Sequence, residues 1–333
     1  MRMRAAVYDR YGPPDVVELR EVPKPTPKDN EVLIKTHATT VTTGDWRARS
    51  LAMPAGMAFL GRLVFGISKP RRPILGTELA GEIEVVGTGA TKFKAGDQVF
   101  AFSGLGMGCH AEYKCMPDDG LVALKPENLT YDEAAAISFG GTTALGFLRG
   151  AKLQSGERVL INGASGGVGT AAVQLAKHFG ASVTGVCSGA NADLVRSIGA
   201  DRVIDYAKED FTRNGETYDV IVDTAGTAPY SRSKGSLTRS GRLLLVLGGL
   251  ADMLQAPWVS MTSSRKVIAG PAAERVEDLR FLADLARAGE FRPVIGRRYS
   301  FEEIAEAHRY VDTGHKRGNV VVTLGRGAPR GVA

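Results

Sequence analysis

The chain has 333 residues, 44% of them hydrophobic, with 41 glycines and a formal net charge of +6. This length allows two ordinary domains with a sizeable core, and the glycine richness favours an α/β or barrel architecture over a helical bundle. The basic excess forms no long run, its densest cluster being Lys69, Arg71 and Arg72. It therefore reads as a solvated surface rather than a nucleic-acid footprint. Cys109, Cys115 and Cys187 show no metal-binding spacing, and their odd number suits reduced thiols in a cytoplasmic setting. The opening MRMRAAVYDRYGPP has no apolar run of the signal-peptide kind. The most apolar stretch, Leu51 to Ile67, is interrupted by Pro54, Gly56, Gly61 and Arg62. It is too broken to span a bilayer; a substrate lid, or a surface for membrane or partner, stays open for residues 51–72.

In chain order, the first ~125 residues read as short strands between turns. Glu31–Val41, Glu78–Gly87 and Asp97–Phe102 carry β-branched alternation, and Val22–Asn30 is a Pro-rich turn. Such a series suggests a barrel. After Pro126 the texture changes. Thr130 with Glu133 three residues on is a capping box that starts a helix. Strand Arg158–Gly163, helix Gly167–Gly180, strand Ala181–Cys187 and helix Asn191–Gly199 follow, then strands in RVIDY, DVIVDTAG and GRLLLVLGG, and a sixth in Lys266–Pro271. Fully apolar strands alternating with helices imply a parallel sheet covered on both faces. A helix at Val276–Phe291 precedes a tail of RRYSF, helix Glu302–Gly314 and strand Asn319–Leu324. The tail is too small to fold alone and is assigned to the first domain. The division expected is 1–127 with 292–333 as the barrel, and 128–291 as the inserted sheet domain. The final GRGAPRGVA is expected to be disordered.

The sharpest motif is Arg158–Gly169, RVLINGASGGVG. A strand enters a glycine turn and a helix leaves it, the context in which a glycine pattern signifies a dinucleotide. Glycines let backbone N–H groups approach a pyrophosphate, and the helix N-terminus adds free donors and a positive dipole end. Ala164, Ser165, Gly166, Gly167, Val168 and Gly169 are the cofactor-binding candidates here. At the end of the next strand an NAD enzyme commonly places an acid for the ribose 2′-hydroxyl. This chain has Ser188-Gly189-Ala190-Asn191 instead, so NADPH is favoured. Ser188 and Asn191 are candidate phosphate donors that also fit as helix caps, with Arg196 a candidate neighbour.

Gly163, Gly167 and Gly169 also spell a short-chain dehydrogenase signature, and Tyr230 with Lys234 spells that family's YxxxK pair. In that family the Tyr lies beyond a fifth strand, whereas GRLLLVLG still follows here. Some 155 residues precede the glycine turn as well. The pair is read as coincidence.

Six segments taken in order, Pro23–Arg49, Pro73–Val99, Ala134–Leu145, Gly163–Lys177, Val220–Gly226 and His315–Val322, resemble zinc-independent quinone oxidoreductases of the medium-chain dehydrogenase/reductase superfamily. The resemblance implies a GroES-like β-barrel formed from both ends of the chain, an inserted Rossmann doubly wound sheet, and an active site in the cleft between them. Zinc-using members take a Cys at the position of Thr42 and a His at that of Thr77; threonine is not a competent zinc ligand, so no metal is expected. The implied reaction is hydride transfer from NADPH to a quinone or an α,β-unsaturated carbonyl. A zinc-free alcohol or carbonyl reductase, and a non-enzymatic NADPH-binding or membrane-associated scaffold, remain alternatives.

By the same resemblance Thr143 and the Gly140-Gly141 backbone face the nicotinamide. Tyr206, Ala225, Gly248, Gly249, Lys316 and Asn319 border the cofactor, and Thr42, Asp45, Arg49 and Thr143 position substrate. Asp45 and Arg49 also fit a structural salt bridge, and Trp46 either stacks on a flat acceptor or belongs to the core. The five histidines show no catalytic or ligand spacing. A homodimer through Lys266–Pro271 is implied too.

Overall fold

The structure, a computed structural model, describes residues 1–324. The expected disorder of GRGAPRGVA falls on 325–333, outside the described residues.

Strands β1 (Arg2–Val7) and β2 (Glu18–Pro23) form a two-stranded ribbon. β3 (Glu31–Thr40), β4 (Glu78–Val86), β5 (Gln98–Phe102), β6 (Tyr113–Pro117) and β7 (Val122–Leu124) build the barrel sheet. Helices α1 (Thr43–Ser50) and α2 (Ala58–Phe65) fill the long β3–β4 connection, and α3 (Tyr131–Ala135) and α4 (Ser138–Gly150) lead out of the barrel.

The second sheet follows: β8 (Arg158–Asn162), α5 (Gly167–His178), β9 (Ser182–Cys187), α6 (Ala192–Ser197), β10 (Arg202–Asp205), β11 (Tyr218–Asp223), α7 (Tyr230–Ser233), β12 (Leu237–Leu245), α8 (Leu250–Thr262) and β13 (Lys266–Ala269). Its order, β10-β9-β8-β11-β12-β13, is parallel throughout, the doubly wound arrangement expected from the apolar strands. After α9 (Val276–Arg287), the tail supplies β14 (Ile295–Ser300), α10 (Ile304–Asp312) and β15 (Asn319–Thr323). β15 pairs with β3, so both ends of the chain share the barrel sheet.

Helices α1, α2, α4 and α8 are not among the elements read from the sequence. The YxxxK pair falls on α7 and the turn after it, between β11 and β12, as the coincidence reading requires.

The two sheets share one core. A single buried cluster runs from Ala38, Ala80 and Phe100 of the barrel through Ile137 and Leu145 on the connecting helices to Val159, Val173 and Val222 of the parallel sheet.

Candidate functional site

The parallel sheet reverses its winding between β8 and β11, and ligands of such sheets sit beyond the strand ends at this switch point. The glycine turn occupies it. Gly163 takes φ +83°, and a Cβ there would lie 2.6 Å from Thr224 Oγ1 on the β11 side. A Cβ on Gly169 would lie 2.1 Å from the Gly163 carbonyl oxygen, so only glycine lets the helix start so close to the turn. Helix α5 has Gly166 as N-cap and no side-chain cap, which leaves the N–H groups of its first turn available. Ala164 plays another part. It is wholly buried and its N–H donates to Val186 O at 2.9 Å, so its place in the turn is a packing one.

The tail closes over this turn. Gly318 N–H donates to Ser165 O at 2.8 Å, and Gly166 and Gly318 form a parallel bridge. A Cβ on Gly167 would meet Asn319 Oδ1 at 2.8 Å and Lys316 Nζ at 3.1 Å. Asn319 also donates to Ala136 O (3.2 Å) and Val294 O (3.1 Å), fixing the tail to the connecting helices. Burial lowers the Lys316 pKa to about 8, with Glu78 acting in the opposite sense. A cation held at a helix N-terminus opposes the dipole; an anion between the two would satisfy both. Free donors, bare glycines and an ammonium fit a dinucleotide pyrophosphate.

On the adenosine side, Asn191 Nδ2 donates to Ser165 Oγ at 3.2 Å, drawing the loop after β9 onto the glycine turn. Ser188 N-caps the short turn there without a side-chain cap bond. Arg196 is exposed and paired with Asp193 at 2.9 Å. Tyr206 is exposed and its N–H donates to Cys187 O at 3.1 Å, placing it at the same strand end. Ala225 follows β11, its N–H held by Asp223 Oδ1 at 3.1 Å. Gly248 and Gly249 follow β12. Leu250 N–H donates to Ala55 O at 3.1 Å, and a Cβ on Gly249 would lie 2.8 Å from that oxygen. Gly249 therefore meets the barrel's residue 51–57 loop across the cleft, while Gly248 packs on Leu245 and Ala269.

The barrel-side candidates are largely absorbed by the fold. Thr42 and Asp45 form the capping box of α1. Asp45 is fully buried and accepts from Thr42 N (2.7 Å), Thr42 Oγ1 (2.7 Å) and Gly76 N (2.8 Å). Arg49 is fully buried and donates to Gly12 O (2.7 Å) and Asp312 Oδ2 (2.6 Å). The expected salt bridge exists in kind, but it joins α1 to α10 rather than Arg49 to Asp45. Neither charge is left for a substrate. Trp46 packs with a barrel core cluster. Gly140 and Gly141 are likewise packing glycines: a Cβ would meet Gly167 O at 2.7 Å or Leu282 Cδ1 at 2.7 Å. Thr143, half-buried on α4, makes no side-chain hydrogen bond among the described residues.

Thr42 Oγ1 and Thr77 Oγ1 stand 3.5 Å apart. Two neutral hydroxyls, one already donating to Asp45, do not form a zinc site. Among the described residues no three His, Cys, Asp or Glu side chains gather in metal-binding geometry.

Sequence reasoning missed Glu78 as a site residue. It opens β4, is fully buried, and accepts Phe139 N–H at 2.5 Å and the Thr40 hydroxyl. It thereby ties the barrel to the first turn of α4. Burial raises its pKa to about 7 against those hydrogen bonds. The histidines are structural: His110 Nε2 sits 2.9 Å from Thr40 O, and His308 is wholly buried beside it.

The segment 51–72 carries α2, with Phe59, Leu60, Leu63, Val64 and Ile67 exposed. A cavity of about 480 Å³ lies beside it, lined by Phe65, Arg71, Arg72, Leu105 and Met107 among others. Among the described residues no helix is long and apolar enough to cross a membrane.

Known proteins share this fold. A family model for the alcohol dehydrogenase GroES-like domain covers residues 28–126, and one described as zinc-binding dehydrogenase covers 198–322. The chain is 33% identical over 338 residues to the chloroplast envelope quinone oxidoreductase homolog of Arabidopsis thaliana, covering 96% of this chain and 98% of that one. It is 30% identical to the NADPH-dependent alkenal/one oxidoreductase of the same plant, over 96% and 79%. The solved quinone oxidoreductase from Coxiella burnetii superposes with a TM-score of 0.86 at 28% identity, over 98% and 100% of the two chains.

Proposed function

Because the chain belongs to the quinone oxidoreductase-like family of medium-chain dehydrogenases/reductases, and is an oxidoreductase, we propose that it reduces quinones or α,β-unsaturated carbonyls with NADPH and without zinc. The observation that carries the reading is the braced glycine turn, with the Lys316 ammonium and Asn319 set over the open start of α5. Bound there, NADPH supplies the hydride. Gly166–Gly169 and Lys316 hold its pyrophosphate, Ser188 and Asn191 donate to the 2′-phosphate, and Tyr206 borders the adenosine. Thr143 and the Gly248-Gly249 turn flank the nicotinamide end of the cleft.

The donor set at Thr42 and Thr77 supports a reaction that needs no Lewis acid, which suits acceptors already activated by conjugation. The name of the alkenal/one oxidoreductase supports both NADPH and the enone class. Cys109, Cys115 and Cys187 are free thiols, in keeping with a cytoplasmic setting. β13 forms one edge of the parallel sheet, and Leu254, Trp258 and Met261 of α8 are exposed, a surface suited to pairing two copies.

A panel of simple quinones, alkenals and saturated aldehydes, followed by NADPH consumption, tests the acceptor class. Turnover is expected with the first two groups. Turnover with saturated aldehydes alone would make the chain a zinc-free carbonyl reductase instead. Tight NADPH binding without consumption on any of them would make it a scaffold.

A further inference from the structure

We propose that Asp205 is a specificity-determining residue for the dinucleotide, its carboxylate facing the adenosine ribose and limiting the preference for a 2′-phosphate. The inference rests on the NADPH reading above and deepens it. The loop Ser188–Asn191 after β9 holds no acid, which by itself favours a phosphorylated ribose. The fold brings an acid there from the neighbouring strand. β10 runs parallel to β9 with Asp205 in register with Cys187, the last residue of β9.

The Asp205 side chain leans over the loop. A Cβ built on Gly189 would lie 2.6 Å from Asp205 Oδ2. Oδ1 is engaged by Ala207 N–H at 3.1 Å, while Oδ2 takes no hydrogen bond among the described residues. One acceptor is therefore fixed in a local turn and the other lies against Gly189. Arg196 of α6, the cation that follows this loop, is engaged by Asp193 at 2.9 Å.

An acid at the end of the second strand of such sheets accepts from the ribose 2′-hydroxyl and repels a phosphate there. Asp205 brings the same chemistry from one strand over. It opposes the donors Ser188 and Asn191, so the site balances two influences and retains measurable affinity for unphosphorylated nucleotide. Glycine at 189 is what gives the carboxylate room.

Calorimetric titration of the full chain with 2′,5′-ADP and with 5′-AMP, which differ only in that phosphate, reads the balance without turnover. Asp205→Asn keeps the acceptor for Ala207 N–H and removes the charge. The ratio of 2′,5′-ADP to 5′-AMP affinity is expected to rise about tenfold, or ~1.4 kcal/mol, and the gain to shrink in high salt. Gly189→Ala, whose methyl displaces Oδ2, is expected to move the ratio in the same direction with the charge retained. A ratio within about twofold of wild type in both variants overturns the role of Asp205 while leaving the NADPH reading intact. A wild-type chain that takes up neither fragment overturns both.

Discussion

Replacing Glu78 by Gln separates a buried ionisation from the rest of the molecule. Glu78 is fully buried at the start of β4, and burial raises its pKa from 4.5 to about 7, against the Thr40 and Phe139 hydrogen bonds. A folded pKa above the unfolded one means that folding favours the protonated acid. The associated stability is fully present below about pH 4.5 and is lost as pH rises through about 7. At roughly 1.4 kcal/mol for each pH unit of displacement, the loss integrated from about pH 5 to about pH 8 is on the order of 2–3 kcal/mol. Gln cannot ionise, yet it retains an acceptor for Phe139 N–H. Urea unfolding of both proteins across this range should show Glu78→Gln gaining on the order of 2–3 kcal/mol on wild type between the acidic and basic ends. A stability difference that stays constant to within about 0.5 kcal/mol would refute the reasoning, since titrating groups that do not interact with Glu78 cancel in the comparison, and Lys316, which does, loses its charge only near the upper end of the range.

Gly169→Ala places a methyl 2.1 Å from the Gly163 carbonyl oxygen. The turn must open, and NADPH affinity measured by fluorescence titration should fall at least about a hundredfold, as expected when a pyrophosphate cradle loses its backbone donors. Arg49→Ala leaves Asp312 without its buried partner and should cost about 3 kcal/mol in unfolding free energy. NADPH affinity should stay unchanged, whereas a raised KM for the acceptor at unaltered stability would return Arg49 to the substrate site. Lys316 has a pKa lowered to about 8, so its positive charge is lost as pH rises through that value. Wild-type NADPH affinity should weaken by about tenfold above it, in line with the loss of a charge-assisted contact. Lys316→Gln should bind about tenfold more weakly at neutral pH and show no such dependence.

The architecture was legible where local signals were strong. The capping box at Thr130 and Glu133 starts α3 as read, and the glycine turn lies between β8 and α5. The apolar strands assemble in the parallel sheet that their composition implied. Helix α1 escaped notice because TGDWRARS has no apolar stripe. Its capping residues Thr42 and Asp45 were visible but were taken for chemistry. Helix α4 contains Gly140 and Gly141, poor helix formers that are tolerated because α4 approaches α5 and Leu282 too closely for side chains.

Glu78 and Asp205 illustrate what sequence order hides. Glu78 acquires its role from Phe139, 61 residues away. Asp205 acquires its place from a strand pairing that sets it beside Cys187. No spacing rule reports either contact. Arg49 shows the converse: a loop charge that pattern matching assigned to substrate is held by Asp312, 263 residues on.

The central claim is a direct, metal-free transfer from the nucleotide at Gly166–Gly169 to a conjugated acceptor. Single-turnover reduction of an enone by the metal-stripped full chain, using NADPH labelled with deuterium at the transferring carbon, tests it most directly. The account predicts the label on the acceptor's β-carbon at an undiminished rate. Unlabelled product, or a rate restored only when zinc is returned, would contradict it.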